Sequence, residues 1–333
     1  MPPVTFQALR ITESSKGNFE RAIVSRSTDD LPAGDVLIQV HYAALNYKDG
    51  LSASGHKGVS RNFPHTPGVD AAGLVAHSSD PAFREGDQVL VTGYDLGMNT
   101  DGGFGGYIRV PAEWVIALPQ GYTLEEAMIV GTGGFTAAIG LYKMEKQGQK
   151  PADGPIVVSG ASGGVGSLAV GILAQAGYEV KAVTGKQAAH DYLKDLGATE
   201  ILGREAIDDQ SGRPLLRPNW AGAIDTVGGN TLATLIKGCH REGNVAACGL
   251  VASHDLNLTV YPFILNGVNL LGIDSATFPR AERLHVWQKL ATDWRVPNLQ
   301  RIATQISLEE LEPYLEQILA GKTRGRIIVK HQH

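Results

Sequence analysis

The chain has 333 residues, of which 43% are hydrophobic and 19% charged, which predicts a globular protein of about two domains with a large core. Its 29 lysines and arginines against 34 aspartates and glutamates give a net charge of −5, which argues against a nucleic-acid-binding protein, since such proteins need a basic face. The chain has two cysteines and no visible signal peptide, and none of its apolar runs approaches the roughly 20 residues of a membrane span. These features predict a reducing, cytoplasmic setting.

Residues 1–125 predict a β-rich domain. Short apolar, β-branched runs are separated by Gly, Pro and Asp, which is typical of a compact antiparallel, barrel-like fold. The predicted strands cover residues 36–42, 71–76, 88–92 and 106–110.

A helix is predicted over residues 124–145. Thr123 and Glu126 form a capping-box pattern at its start. Gly131, Gly133 and Gly134 interrupt the helical pattern, so we expect a break before the helix resumes.

Residues 155–176 carry the most informative pattern of the chain. An apolar run at 156–158 stops at Gly160, Gly163 and Gly166, and small and apolar residues follow at helical spacing. A strand, a glycine-rich turn and a helix in this order are typical of dinucleotide sites. The glycines let the backbone approach a pyrophosphate, and the helix start presents free N–H groups to it. The sequence therefore predicts a dinucleotide site here.

Strands and helices alternate from this point, which indicates an α/β fold with a doubly wound parallel sheet. The further strands are predicted at 179–183, 201–202, 223–227, 244–250 and 268–273, and the helices between them at 187–196 and 231–239.

The C-terminal part predicts two helices and a strand. The first helix, after residue 279, carries four apolar side chains at helical spacing that are expected in the core: Leu284, Trp287, Leu290 and Ala291. Ser307 and Glu310 form a capping box for a helix ending near residue 319. The strand at 325–330 is too short a tail for a domain, so we expect it to complete the first one.

Five motifs show a family resemblance: NYKD at 46–49, PGVDAAG at 67–73, GTGGFTA at 131–137, GASGGVG at 160–166 and WAGAIDTVG at 220–228. With them the whole chain resembles the medium-chain dehydrogenase/reductase superfamily. Within it, the chain is similar to the zinc-free group of NADPH-dependent acrylyl-CoA reductases and quinone oxidoreductases. The resemblance implies a GroES-like catalytic domain at 1–125, completed by 278–333. It also implies an inserted Rossmann NADPH-binding domain at 126–277, a cofactor between the two domains, and a homodimer.

The end of the second nucleotide-domain strand favours NADPH over NADH. NAD sites usually place a carboxylate there for the ribose 2′-hydroxyl. This chain has Thr184, Gly185 and Lys186 instead, with no acid before Asp191 and with Arg204 just beyond the third strand. A hydroxyl and two cations suit a 2′-phosphate, although ordinary surface charges are the alternative. The predicted cofactor-binding residues are Asn46, Tyr47, Thr132, Ser162, Gly163, Gly164, Val165, Thr184, Gly185, Lys186, Arg204, Gly249 and Leu250.

No metal site is predicted. Zinc-dependent members of the superfamily use two Cys and a His with a Glu nearby, whereas the resemblance places Asn46, Val69 and Asp70 at those positions. Two cysteines also cannot supply the four-cysteine structural lobe. The spacing of the histidines in the first domain matches no zinc motif.

Tyr47 and Asp49 are the predicted catalytic residues. The Tyr47 hydroxyl, expected in a loop that faces the cleft, is able to donate a hydrogen bond or a proton, with a packed tyrosine as the alternative. Asp49, if ionised, only accepts. Thr132 is expected near the nicotinamide.

Three functions stay open on the sequence. The first is NADPH-dependent reduction of the C=C bond of a small α,β-unsaturated thioester such as acrylyl-CoA. The second is quinone reduction, and the third is a non-catalytic NADPH-binding protein. Lys57 and Arg61 are candidates for coenzyme A phosphates, with solvated loop charges as the simpler explanation.

Overall fold

The computed structural model describes residues 2–332, and the chain divides into two compact units. The first unit comprises residues up to 132 together with 276–284 and 298–333, and the second comprises 133–275 and 285–297. Within residues 2–332, no helix combines the length and the apolarity that crossing a membrane requires.

The first unit contains a seven-stranded sheet in the order β14-β15-β3-β4-β5-β7, with β6 also paired to β3. Its strands are β3 (Val36–Leu45), β4 (Asp70–Ser78), β5 (Gln88–Thr92), β6 (Tyr107–Val110), β7 (Ile116–Ala117), β14 (Ala303–Ile306) and β15 (Arg326–Lys330). The pairing of β15 with β3 is antiparallel, with Val329 opposite Ala43. Apolar side chains of β3, β4, β5 and β6 form the core beneath this sheet.

A long hairpin, β1 (Thr5–Ser15) and β2 (Asn18–Ser27), precedes this sheet and was not predicted. Its second strand has no fully buried residue, so its sequence lacks the apolar alternation that reveals a strand.

Three residues of the NYKD motif, 47–49, lie in a helix and not in the predicted loop. Asn46 has an extended backbone and precedes α1 (Tyr47–Ala53), and its N–H donates to Asp49 Oδ2 at 2.7 Å. A carboxylate at the third helical position commonly caps a helix in this way. The helix has seven residues, which gives periodicity too little length to reveal it.

The second unit contains a six-stranded parallel sheet in the order β10-β9-β8-β11-β12-β13. Its strands are β8 (Ile156–Val158), β9 (Val180–Val183), β10 (Glu200–Leu202), β11 (Trp220–Asp225), β12 (Cys239–Ala247) and β13 (Asn269–Gly272). Counted along the chain, this order is 3-2-1-4-5-6, the doubly wound order of dinucleotide-binding folds. The predicted α/β class and parallel sheet are confirmed.

Helices connect these strands: α3 (Gly164–Gln175), α4 (His190–Asp195), α5 (Gly229–Lys237) and α6 (Tyr261–Asn266). The preceding helix α2 (Leu124–Lys146) begins at the predicted capping box, since Thr123 and Glu126 exchange hydrogen bonds. It is kinked at Gly131, which has φ +46°, whereas Gly133 and Gly134 stay helical.

The C-terminal predictions hold in part. In α7 (Arg280–Ala291) Trp287 and Leu290 are buried, but Leu284 is 42% exposed, so its assignment to the core was wrong. Ser307 N–H donates to Glu310, yet α8 (Glu312–Leu319) begins five residues later because a separate turn intervenes.

Candidate active site

The glycines after β8 bring three chain segments into close approach. A Cβ at Gly160 would lie 2.3 Å from Thr226 Oγ1, and one at Gly166 would lie 2.3 Å from the carbonyl oxygen of Gly160. Gly160 also has φ +56°, which disfavours other residues. Side chains at these two positions would clash with Thr226 and with the backbone of the turn, so glycine is needed for the tight strand–turn–helix connection that dinucleotide sites use.

Ser162 and the next three predicted cofactor residues lie at the start of α3. Gly163 is the residue before the helix, and Gly164 and Val165 form its first turn. Their N–H groups lie at the positive end of a 12-residue helix, where anions are stabilised.

Thr184 links this loop to the end of β9. Its hydroxyl lies 3.1 Å from the Ser162 hydroxyl and accepts from the Lys186 N–H at 3.1 Å. Its own N–H donates to the Leu202 carbonyl at 3.0 Å, which fixes the β9 end beside β10. The predicted hydroxyl and ammonium residues are therefore adjacent to the phosphate loop.

Arg204 packs over Gly185. A Cβ on Gly185 would lie 2.8 Å from Arg204 Nε. Burial, and then the positive charge of Arg204, lower the pKa of Lys186 below its usual value. Two cations at the end of the second strand suit a phosphate, because an anion between them relieves their repulsion.

Gly249 and Leu250 lie beyond β12, which runs from Cys239 to Ala247, so the strand predicted at 244–250 began five residues too late and ended three residues too late. A Cβ on Gly249 would lie 2.0 Å from the Thr226 carbonyl oxygen, and Leu250 is 59% exposed. Both residues therefore follow the carboxyl end of a strand of the parallel sheet, the side where ligands bind in such sheets.

In the first unit, Asp70 is the centre of a buried polar cluster. Its carboxylate is fully buried and accepts from Asn46 Nδ2 at 2.8 Å and from the Thr132 hydroxyl at 2.5 Å. The Thr132 N–H donates to the same carboxylate at 2.9 Å. The hydroxyl of Thr132 is thus committed to Asp70, and its predicted contact with nicotinamide stays a prediction.

Arg326 completes this cluster and was missed by sequence reasoning. Its guanidinium lies 3.4 Å from Asp70 Oδ2, donates to Asn46 Oδ1 at 3.0 Å and donates to the Ile129 carbonyl at 3.1 Å. Burial lowers the pKa of Arg326, while the Asp70 charge opposes that shift. An arginine directly before the apolar, buried run at 327–329 is the one signal that points to it.

Gly131 makes room for this cluster. A Cβ at its position would lie 2.5 Å from Asp70 Oδ2 and 2.8 Å from Arg326 Nη2. Gly131, the first glycine of the GTGGFTA motif, therefore allows both the kink in α2 and the close approach of Asp70 and Arg326.

Asp49 is fully buried and contacts backbone. Its oxygens accept from the N–H groups of Asn46 at 2.7 Å, Val69 at 2.9 Å and Gly68 at 3.2 Å. Burial raises the pKa of Asp49 to about 7, and the Asp70 charge adds to the rise. In this arrangement Asp49 fixes the start of α1 to the chain before β4, and its predicted catalytic role stays a prediction.

Tyr47 is the first helical residue after Asn46 and is 36% exposed. Its neighbours Asn46 and Asp49 are held by the buried cluster, so its backbone is fixed while its side chain faces outward. Within residues 2–332 no group of three His, Cys, Asp or Glu residues is arranged to hold a metal ion.

Comparison with known proteins decides the family. The family models described as "Alcohol dehydrogenase GroES-like domain" and "Zinc-binding dehydrogenase" match residues 32–120 and 164–292. A Ruegeria pomeroyi protein named "Acrylyl-CoA reductase AcuI" is 42% identical over 97% of this chain and 98% of its own. A Bacillus subtilis protein named "Putative quinone oxidoreductase YhfP" is 44% identical over 98% of each chain. The chain belongs to the medium-chain dehydrogenase/reductase superfamily.

Solved structures of medium-chain dehydrogenase/reductase relatives agree in fold. The YhdH oxidoreductase from Salmonella enterica in complex with NADP has a TM-score of 0.94 at 43% identity, covering 98% of this chain and 100% of that chain. The YhfP protein of Bacillus subtilis, solved with NAD bound, has a TM-score of 0.95 at 44% identity, covering 98% and 99%. The predicted family, the GroES-like and Rossmann fold and the oxidoreductase class are confirmed.

Proposed function

We propose that this protein reduces the C=C bond of a small α,β-unsaturated thioester, such as acrylyl-CoA to propanoyl-CoA, with NADPH as the electron donor. The observation that carries the proposal is the 42% identity over nearly the full chain to a protein named acrylyl-CoA reductase. The Asp70 cluster is consistent with it, because Asn46 and Asp70, at two of the positions where the resemblance places the ligands of zinc-dependent members, are bonded to each other and to Arg326 instead.

NADPH as cofactor is supported by the residues around the phosphate loop. Ser162, Thr184, Lys186 and Arg204 offer two hydroxyls and two cations at the end of β9, where the sequence predicts the 2′-phosphate. One relative was solved with NADP and another with NAD, so the choice rests on this chain's own residues.

When bound, NADPH would supply a hydride to the β-carbon of the substrate, and a proton from solvent would then complete the reduction at the α-carbon. Between these two events, the chain's part is to stabilise the negative charge on the thioester oxygen. We assign this to the Tyr47 hydroxyl and to nearby backbone N–H groups, since fixed donors of this kind lower the barrier most where no metal takes the charge. Asn46, Asp49, Asp70 and Arg326 keep the start of α1 in place.

Quinone reduction is the second candidate. It is favoured by the name of the Bacillus subtilis relative, which is 44% identical. Both activities need NADPH, so the substrate alone separates them.

We also propose a cytoplasmic homodimer with domain boundaries at 1–125 plus 278–333 and at 126–277. The dimer is supported by β13, which lies at an edge of the parallel sheet, where a further strand could pair. Exposed apolar side chains lie on and before this strand: Leu256, Val260, Tyr261, Ile264, Leu265 and Leu270. Light scattering after size-exclusion chromatography tests it, and a particle of one 35.4 kDa chain at micromolar concentration would contradict it.

An NADPH-oxidation assay tests the activity. Purified protein is given acrylyl-CoA, a panel of quinones, or no acceptor, and the product is identified by mass spectrometry. Propanoyl-CoA formation supports the proposal. Turnover with quinones alone supports the second candidate, and NADPH binding without turnover contradicts both.

A further inference from the structure

A cavity of about 550 Å³ opens on the first unit, between the end of β1 and the segment after α1. Its volume lies in the range of small-molecule sites. The cavity is lined by Thr12, Glu13, Ser15, Lys16, Arg61, Asn62, Phe63 and Pro64.

The cavity is positively charged on a chain whose net charge is −5. Lys16 and Arg61 are exposed lining residues, and neither pairs with a carboxylate within residues 2–332. The one acidic lining residue, Glu13, is paired with Lys57 at 3.1 Å. Two cations therefore stay available to an anion.

An aromatic wall closes one side. Phe63 packs against Phe19 with ring centroids 4.8 Å apart and against His65 at 4.9 Å, and Lys57 Nζ lies 4.9 Å from the Phe63 centroid. A Cβ on Gly55 would lie 2.0 Å from Phe19 Cε2, so the ring fits only over a glycine. The wall is thus preformed.

Buried hydrogen bonds fix this wall to α1. The Ser52 hydroxyl, in α1, lies 2.8 Å from Ser60 Oγ and 2.7 Å from His65 Nε2, and all three side chains are buried. His65 also exchanges two backbone hydrogen bonds with Ile11 of β1. The helix that begins at Tyr47 is seven residues, or about 10 Å, long. Ser52 lies near the end of this helix, so α1 connects Tyr47 to the residues behind the aromatic wall.

We propose that this cavity binds the phosphorylated adenosine end of a coenzyme A thioester. This proposal rests on the proposed function, because a coenzyme A thioester is the substrate proposed there. Lys16 and Arg61 pair with the phosphates, and Phe63 provides an apolar surface for adenine. The hydroxyls of Thr12 and Ser15 and the amide of Asn62 face the ribose and the base. The extended pantetheine arm then runs along α1 toward Tyr47.

The test compares Lys16→Ala/Arg61→Ala with wild type and with Arg84→Ala, an exposed arginine of the same unit outside the cavity. KM and kcat are measured for acrylyl-CoA and for acrylyl N-acetylcysteamine, a thioester without nucleotide. Each lost charged contact weakens binding by about tenfold or more. We expect KM for acrylyl-CoA to rise at least tenfold in the double variant, with kcat, the short thioester and the Arg84 control unchanged.

A calorimetric titration with adenosine 3′,5′-bisphosphate, at saturating NADPH to block the cofactor site, tests the cavity without turnover. Binding by wild type and its loss in the double variant support the proposal. Unchanged KM together with unchanged bisphosphate affinity, or no bisphosphate binding by wild type, overturns it. Absence of acrylyl-CoA turnover in wild type contradicts the proposed function instead, and the titration still decides the cavity.

Discussion

The guanidinium of Arg326 lies 3.4 Å from a carboxylate oxygen of Asp70, and both side chains are withdrawn from solvent. Asn46 joins the pair, since it accepts from Arg326 and donates to Asp70. Each of the three side chains thus contacts the other two through a hydrogen bond or an ion pair, in a buried place where an unpaired charge is costly. The cluster fixes the residue directly before Tyr47.

Replacement of Arg326 by Met should destabilise the protein strongly. Removing one partner of a buried ion pair costs about 3–5 kcal/mol because the other charge is left uncompensated. We expect a loss of this size in the free energy of unfolding, measured by urea titration. Lys322→Met, an exposed change four residues earlier, is the control, and equal stability of the two variants would argue against a structural role for the pair.

Replacement of Lys186 or Arg204 by Ala should weaken NADPH binding and leave NADH binding nearly unchanged. A charged hydrogen bond contributes about 1.5–3 kcal/mol, which corresponds to roughly a ten- to hundredfold loss of affinity. Fluorescence titration of wild type and both variants with each cofactor measures this. Equal affinity of the wild type for NADH and NADPH would show that no 2′-phosphate contact exists.

Exhaustive chelation should leave turnover intact. Asn46, Val69 and Asp70 occupy the expected ligand positions, and Asn46 and Asp70 are already committed to each other and to Arg326. Activity is measured before and after chelation, alongside the zinc content of the protein. Loss of activity that added zinc restores would contradict this prediction.

Asp49 should make the protein less stable as pH rises. The pKa of Asp49 is about 7 in the folded state against 3.8 unfolded. The folded state therefore holds a proton that the unfolded state releases between these values. Stability from this group is complete below pH 3.8 and is lost as pH rises toward 7, by at most about 1.4 kcal/mol per pH unit.

Urea unfolding at pH 5 and pH 7 checks this in wild type and in Asp49→Asn. The amide cannot ionise, so the variant should lack the part of the pH dependence that Asp49 contributes. Identical pH dependence in both proteins would mean that Asp49 stays ionised when folded.

The nucleotide unit was predictable from sequence to a degree that the first unit was not. Glycine spacing after a buried strand is a local signal, and the alternation that followed it predicted the parallel sheet, although the strand predicted at 244–250 lies at 239–247. Arg326 lies 256 positions from Asp70, and no local pattern reveals a pairing across that distance. Asp49 was predicted as catalytic for its motif, whereas its burial and its bonds to backbone follow only from the tertiary fold.

Replacement of Tyr47 by Phe should slow reduction of an activated double bond without abolishing it. Hydride addition to the β-carbon develops negative charge on the thioester oxygen, and one preorganised donor contributes roughly a hundred- to a thousandfold in rate. The Tyr47 side chain is 36% exposed, and its backbone is fixed by its neighbours, so the loss of one oxygen should leave fold and NADPH affinity unchanged. Backbone N–H groups and solvent keep a residual rate. We therefore expect kcat for acrylyl-CoA to fall at least tenfold, with NADPH affinity and the unfolding midpoint unchanged. Tyr42→Phe, a half-buried tyrosine of β3, is the matched control. If Tyr47→Phe has the kcat of the wild type, the hydroxyl takes no part in catalysis and the role of Tyr47 is packing.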